Sequence, residues 1–187
     1  MILYTTASND RDLHGILDLQ RANLPGQLSK EELEREGFVT VVHSLEDLRK
    51  LNRMECHVIA KEQDKVIAYL LAMTVQSKDD IPILVPMFEE FEKIWFDGRR
   101  ITRYHFIVVG QVCVAKDFRG KGVLGNAYAK YKEEFQHRYD FAITEIAVAN
   151  QRSLNAHRRI GFREIHTYNS PDNTEWRVVL WDWQNPG

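Results

Sequence analysis

The chain has 187 residues, of which 44% are hydrophobic and 28% charged, and its formal net charge is −2. These values are ordinary for a globular protein with a full hydrophobic core, and they favour a single domain over residues 1–187. The near-neutral charge argues against a general nucleic-acid binder. Because no apolar run reaches about 18 residues, a membrane-spanning segment is not expected.

The first half of the chain alternates predicted strands and amphipathic helices. The spans are a strand over 2–5, helices over 10–23 and 44–52, and paired strands over 57–61 and 66–73. Ser29-x-x-Glu32 has the spacing of a capping box and predicts a further short helix. A loop is predicted over 79–86. The apolar spacing over 87–95 predicts a helix packed on the core, with a lid over a substrate pocket as the alternative.

The second half predicts a βαβ unit followed by further strands. The spans are strands over 105–114, 143–148, 163–168 and 176–183, and helices over 121–137 and 151–160. Gly110 interrupts the first of these strands and predicts a bulge or a close approach. The stripe of Leu124, Tyr128, Tyr131 and Phe135 predicts a buried helix face. The fold class is therefore α/β (α+β), with one mixed, mostly antiparallel sheet of about six to seven strands flanked by helices.

Cysteine usage and the N-terminus favour a cytoplasmic protein. No basic and apolar leader begins the sequence. Cys56 and Cys113 are expected to be two buried free thiols rather than a disulfide. Spacings typical of metal ligands are absent, so no metal site is predicted.

The stretch 112–123 runs from a β-branched strand through a basic, glycine-spaced loop into a helix. Glycines let the backbone adopt positive φ and approach an anion closely. The start of a helix adds unsatisfied N–H groups and the positive end of the macrodipole. Arg119 and Lys121 add charge at the same place. The pattern predicts a cradle for a phosphate-bearing cofactor, with an ordinary tight connection as the alternative. It fits neither the Walker lysine loop nor the dinucleotide fingerprint.

A second stretch, 145–162, again runs from a strand through a polar helix start into a short helix that ends at Gly161. Together the two stretches resemble the GNAT superfamily of acyl-CoA-dependent N-acyltransferases. Arg119 and Gly122 fit the family's Arg/Gln-x-x-Gly-x-Gly/Ala loop, although Leu124 stands where the family has Gly or Ala.

The family's second pattern is matched in order and spacing as well. Asn150, Ser153 and Gly161-Phe162 fit it, and His157 stands where the family usually has Tyr. Two patterns in the expected order are more specific than either one alone.

The resemblance implies the GNAT-like fold and an N-acetyltransferase. The enzyme would transfer an acetyl group from acetyl-CoA to a primary amine of a small molecule, amino acid or peptide, by direct attack in a ternary complex. The strand before the loop would bind the pantetheine arm of coenzyme A through its main chain, and the loop would bind the pyrophosphate. The implied cofactor-binding residues are Val112, Cys113, Val114, Arg119, Gly120, Lys121, Gly122, Val123, Leu124, Gly125, Asn150, Ser153 and Asn155.

Three residues are considered for proton transfer in this interpretation. His157 is the candidate general acid for the leaving thiolate, and a contact with CoA or a plain surface position is the alternative. Glu145 is the candidate base for the ammonium, and an ordinary salt-bridged carboxylate is the alternative. His105 with a water chain stays open as the base. For Asn150 and Ser153, plain helix capping is the alternative.

Other functions and the assembly state are left open by the sequence. The departures at Leu124 and His157 admit a non-catalytic acyl-CoA-binding or regulatory module. A different nucleotide-binding domain, preferring ATP or NAD, is a third interpretation. The acceptor amine carries no readable motif. Trp176, Trp181 and Trp183 of the last strand either belong to the core or form the edge of a homodimer.

Overall fold

The computed structural model describes residues 1–24 and 41–184. The helices are α1 (Asp10–Arg21), α2 (Leu45–Met54), α3 (Ser77–Asp80), α4 (Val85–Phe91), α5 (Val123–Phe135) and α6 (Gln151–Ile160). The strands are β1 (Ile2–Thr6), β2 (Val58–Glu62), β3 (Lys65–Met73), β4 (Trp95–Phe96), β5 (Arg99–Arg100), β6 (Phe106–Val114), β7 (Phe141–Ala147), β8 (Arg163–Asn169) and β9 (Glu175–Asp182). Outside 79–95, the predicted spans agree with these bounds to within about two residues. The capping box predicted at Ser29 and Glu32 lies outside the described residues.

The strands confirm the predicted fold class. Within the described part of the chain, seven strands form one sheet in the order β1-β2-β3-β6-β7-β9-β8, and β4 and β5 form a separate hairpin. β6 and β7 are parallel, with Phe106–Val108 paired to Phe141–Ile143. β1 with β2, β2 with β3, β7 with β9, and β8 with β9 are antiparallel. None of the described helices is long and apolar enough to cross a membrane.

The chain divides into two compact units, of which the first comprises residues 1–73 and 109–134. Local side chains fix its helix starts. Asn9 caps α1 by accepting from the N–H of Asp12, and Ser44 with Asp47 forms a complete capping box at α2. The turn between β2 and β3 consists of Gln63 and Asp64, whose φ values of 48° and 67° suit a tight hairpin.

Gly110 in β6 confirms the predicted close approach. A Cβ atom at this position would lie 2.2 Å from both Sδ and Cε of Met73. Met73 is fully buried, so its side chain has little room to move away. The missing side chain at Gly110 therefore gives the side chain of Met73 the space in which it packs against this strand.

The second unit comprises residues 74–108 and 135–187. The loop predicted over 79–86 is wrong, because α3, a 3-10 turn at Pro82–Leu84 and the start of α4 occupy this segment. Pro82 and Pro86 stand in the first turns of helical segments, where a missing N–H breaks no helical hydrogen bond. The core helix predicted over 87–95 is confirmed only as far as Phe91, where α4 ends, because Trp95 belongs to β4; α4 buries Met87, Phe88 and Phe91.

One of the open alternatives and one expectation also fail. β9 lies between β7 and β8, so the last strand is not the sheet edge that a homodimer would use. The homodimer itself stays a prediction. Cys113 is buried as expected but Cys56 is exposed, and no disulfide joins them.

Candidate functional site

The glycine loop (residues 119–125) connects β6 to α5 in the first unit. Gly120 and Gly122 have φ values of +73° and +79°, which L-amino acids with side chains rarely adopt. A Cβ atom added at either residue, or at Gly125, would meet no atom within 4 Å. The glycines therefore serve the backbone conformation and leave open space beside it.

The backbone N–H groups of residues 120–125 are available to a ligand. None of them donates a hydrogen bond to a carbonyl in the part of the chain that the structure describes. The next N–H, that of Asn126, donates to the carbonyl of Gly122 at 3.1 Å and begins the bonding of α5. A row of unsatisfied N–H groups at the positive end of a helix dipole suits anionic oxygens.

Arg119 holds the start of the glycine loop in place. Its Nε donates to the carbonyl of Val114 at 2.9 Å, and its Nη2 donates to Oδ1 of Asn23 at 2.5 Å. The guanidinium thus ties the start of the glycine loop to the end of β6 and to the residues after α1. Sequence reasoning missed Asn23, which lies 96 positions away.

The other predicted loop residues divide between packing and solvent. Val123 is buried against Ala60, Ile67 and Ala68, which fixes the start of α5 on the sheet. Leu124 is only partly buried. Lys121 is exposed, with its Nζ 5.8 Å from the centre of the Phe118 ring. It belongs to the same glycine loop as the unsatisfied N–H groups.

The end of β6 alternates between the core and a partly exposed face. Val112 and Val114 are partly exposed, whereas Cys113 is buried. Burial raises the pKa of the Cys113 thiol to about 12, so it is not a nucleophile at neutral pH. Gln111 accepts from the hydroxyl of Tyr69 at 2.6 Å and donates to the carbonyl of Val41 at 2.8 Å, so its amide is engaged on both sides.

In the second unit, the start of α6 follows the predicted pattern. Asn150 is the N-cap, and its Oδ1 accepts from the N–H of Ser153 at 3.1 Å. Gly161 ends the helix with a φ of 114°. Asn155 is exposed and accepts from Arg158 at 3.0 Å. The capping interpretation of Asn150 is therefore confirmed, and it leaves the amide nitrogen of that side chain for other partners.

His157 is buried in α6, with only 3% of its surface exposed. Its Nδ1 lies 2.8 Å from the carbonyl oxygen of Ser153, and its ring packs edge-on against Phe162 at 5.0 Å. Burial lowers the pKa of His157 to about 4. The ring is therefore neutral near pH 7, and the surface position that the sequence left open is wrong.

Glu145 has the features of a poised carboxylate. It is partly buried in β7, and one of its oxygens, Oε2, accepts a hydrogen bond from the hydroxyl of Tyr168. Burial, with a smaller contribution from the charge of Glu90, raises the pKa of Glu145 to about 7, although the Tyr168 hydrogen bond lowers it. A carboxyl group with this pKa exchanges protons readily near neutral pH.

Comparison with known proteins identifies the family. The profile of the acetyltransferase (GNAT) family matches residues 14–162. The chain belongs to the acetyltransferase (GNAT) family. The match includes both predicted stretches, and it confirms the resemblance on which the sequence interpretation depended. No curated protein matches the sequence.

Solved structures share the fold of this GNAT chain at low sequence identity. The polyamine N-acetyltransferase of Drosophila melanogaster has a TM-score of 0.69 at 10% identity, covering 97% of this chain and 100% of its own. A chain of the NatC complex, crystallised with Gag peptide and CoA, has a TM-score of 0.64 at 13% identity, covering 98% and 99%. The ribosomal-protein-alanine N-acetyltransferase of Brucella melitensis has a TM-score of 0.62 at 19% identity, covering 96% and 99%.

The predicted site residues of the GNAT chain fall into two sets. Those from 112 to 125 lie in the first unit, and those from 145 to 157 lie in the second. Sequence reasoning missed Tyr168 and Glu90, the two residues whose groups act on Glu145. No local pattern marks either of them, because Tyr168 reaches Glu145 through the order of strands in the sheet, and Glu90 acts on it from the helix α4.

Proposed function

We propose that this GNAT protein is an N-acetyltransferase that uses acetyl-CoA and acetylates a primary amine of a small molecule, amino acid or peptide by direct attack in a ternary complex. The unsatisfied N–H groups of the glycine loop are the observation that carries the proposal. Family membership supports the acetyl-transfer chemistry.

The glycine loop fits the diphosphate of coenzyme A. It offers N–H donors without competing acceptors in the described residues, and open space where side chains would otherwise stand. Lys121 adds a positive charge within the same loop. N–H donors, open space and positive charge at the start of a helix are the features that bind phosphate oxygens. The NatC chain that shares the fold was crystallised with CoA, which supports the same ligand.

The reaction needs little besides positioning and proton transfer. The neutral amine attacks the thioester carbonyl, a C–N bond forms, and the C–S bond breaks to release the thiolate. The ammonium must first lose a proton. With a pKa of about 7, Glu145 is about half ionised at neutral pH, and it is the proposed base for that proton.

The sequence predicts His157 as the acid for the thiolate, but its environment argues against a charged acid. Its pKa of about 4 leaves almost no imidazolium at neutral pH. A neutral imidazole is a very weak acid. In the proposal, the nitrogen loses a second proton as the amide forms, water carries that proton to the thiolate, and His157 holds the first turn of α6 through the carbonyl of Ser153.

A non-catalytic acyl-CoA-binding module is the second candidate. Leu124 favours it, because a partly buried leucine stands in the first turn of α5 where the family has Gly or Ala. The two candidates share CoA binding and differ in turnover. They are therefore separated by acetyl transfer, not by affinity.

Calorimetric titration with acetyl-CoA tests the ligand. We expect a Kd on the order of 10 μM for the wild type, weakened about 100-fold or more by Gly122→Glu, which places a carboxylate against phosphate. Gly98→Glu is the matched control, because Gly98 also has a positive φ, of +77°, and open space around its Cβ position. It should bind like the wild type.

The companion assay measures thiol release from acetyl-CoA with a panel of amines and peptides. Release that depends on an amine supports the transferase. Tight binding without release from any amine would favour the non-catalytic module. Absence of binding by the wild type, or preference for ATP or NAD, would overturn the proposed function.

A further inference from the structure

Strand register places three polar side chains on one face of the sheet in the second unit. Glu145 of β7 is opposite Val178 of β9, which in turn is opposite His166 of β8. In the next row, Trp176 lies between Ala147 and Tyr168. Because side chains alternate along a strand, Glu145, His166 and Tyr168 point to the same side.

Tyr168 reaches across this face to the carboxylate. Its hydroxyl donates to Oε2 of Glu145. Its ring stacks on that of His166, with centroids 6.3 Å apart and planes inclined by 20°. The stacked ring limits where the hydroxyl can point, so one oxygen of Glu145 is held and the other is left for a different partner.

The surroundings of Glu145 otherwise disfavour its charge. From α4, the carboxylate of Glu90 raises the pKa of Glu145, while Lys93 is paired with Glu90. From β9, the facing residues Trp176 and Val178 do not titrate. From β8, His166 shares the face, and Tyr168 provides the hydrogen bond that favours the ionised carboxylate.

We propose that Tyr168 is a positioning residue for acetyl transfer: its hydroxyl orients the Glu145 carboxylate and stabilises the negative charge with which that carboxylate accepts the proton of the amine. The inference rests on the proposed function, in which Glu145 is the base. Tyr168 keeps its own proton throughout. Burial and the nearby carboxylates hold the pKa of its hydroxyl well above the usual value, so it donates a hydrogen bond and transfers no proton.

The pH dependence of kcat/KM tests this role. Tyr168→Phe keeps the ring on His166 and removes only the hydroxyl. We expect the acidic limb, near pH 7 in the wild type, to move up by about one pH unit, because the ionised form of Glu145 loses its charge-assisted hydrogen bond. Rates at pH 6 should then fall about 10-fold and approach the wild type on the alkaline plateau. A merely structural defect would lower the rate at every pH.

Two further variants sharpen the comparison. Glu90→Gln removes a charge that raises the pKa of Glu145, so its acidic limb should move to lower pH. Tyr104→Phe is the matched control, because it deletes another tyrosine hydroxyl of this unit, one that donates to the carbonyl of Phe96 at 2.9 Å. Its limb should coincide with that of the wild type.

A direct titration separates the failure of this inference from the failure of the proposed function. The side-chain carboxyl carbon of Glu145, labelled with ¹³C, is followed by NMR without substrate. A midpoint that rises in Tyr168→Phe together with the kinetic limb supports the inference. If the wild type acetylates amines but the midpoint of Glu145 is the same in Tyr168→Phe, the role of Tyr168 is overturned and the proposed function stands. A wild type that acetylates no amine overturns the proposed function, and with it the catalytic role of Tyr168, even where the midpoint moves.

Discussion

The buried imidazole of His57 makes the fold sensitive to acid. The ring is fully buried, and its Nδ1 accepts the N–H of Ala72 at 3.1 Å. A proton on Nδ1 would break this bond and place a charge in the core. Burial therefore lowers the pKa of His57 to about 3, from 6.5 in an exposed ring.

The sign and size of the effect follow from linkage. Because the pKa of His57 is lower in the folded state, the unfolded chain takes up a proton first as the pH falls. The stability that the neutral ring supports is present above pH 6.5 and is lost progressively down to the folded pKa of about 3. Between pH 7 and pH 5 this loss amounts to about 2 kcal/mol.

His57→Asn removes the titration and keeps the acceptor, because Oδ1 of asparagine can take the place of Nδ1 opposite Ala72. We expect the difference in the free energy of unfolding between pH 7 and pH 5 to shrink by about 2 kcal/mol. Urea denaturation followed by circular dichroism at both pH values measures it. His137→Asn, at an exposed position, is the control and should leave the difference unchanged. If His57→Asn also left it unchanged, the reasoning from burial would be refuted.

Two other substitutions test packing and proton transfer. Gly110→Ala should destabilise the protein by about 1–3 kcal/mol, because its Cβ would clash with Met73. In urea denaturation, Met73→Ala should relieve part of this cost, and purely additive effects would contradict the clash. His157→Phe should change kcat less than about threefold, because a buried neutral ring is not the acid. A loss of about 100-fold in kcat with unchanged acetyl-CoA affinity would restore His157 as the general acid.

Local signals explain which elements the sequence predicted correctly. The bounds of α6 agree with the prediction because a capping asparagine, Asn150, and a left-handed glycine, Gly161, stand at its two ends. The loop predicted over 79–86 is wrong because Pro82 and Pro86 stand in the first turns of helical segments. Proline is equally suited to the first turn of a helix, and sequence alone does not separate the two cases.

The parts of the site that escaped prediction depend on contacts between distant residues. Tyr168 reaches Glu145 only because β9 lies between β7 and β8, an order that does not follow the chain. The sequence predicts that Arg119 adds charge for a phosphate, but it does not predict that the guanidinium also donates to Asn23, which lies 96 positions away. Residue type predicted the charge correctly, and only the fold determines where that charge is used.

The two sets of site residues obtain their electrostatics in different ways. The glycine loop relies on backbone N–H groups, which carry no titratable proton and keep their character at any physiological pH. Glu145 relies on burial, which raises its pKa to about 7. The protonated carboxyl therefore contributes to the stability of the folded state, fully below about pH 4.5, and this contribution is lost as the pH rises through 7. The carboxylate is thus a competent base only where its charge disfavours folding. The hydroxyl of Tyr168 offsets part of that cost, because it stabilises the ionised form. Hence a tyrosine that touches no reacting atom in the proposed mechanism would still set the pH at which the amine is acetylated.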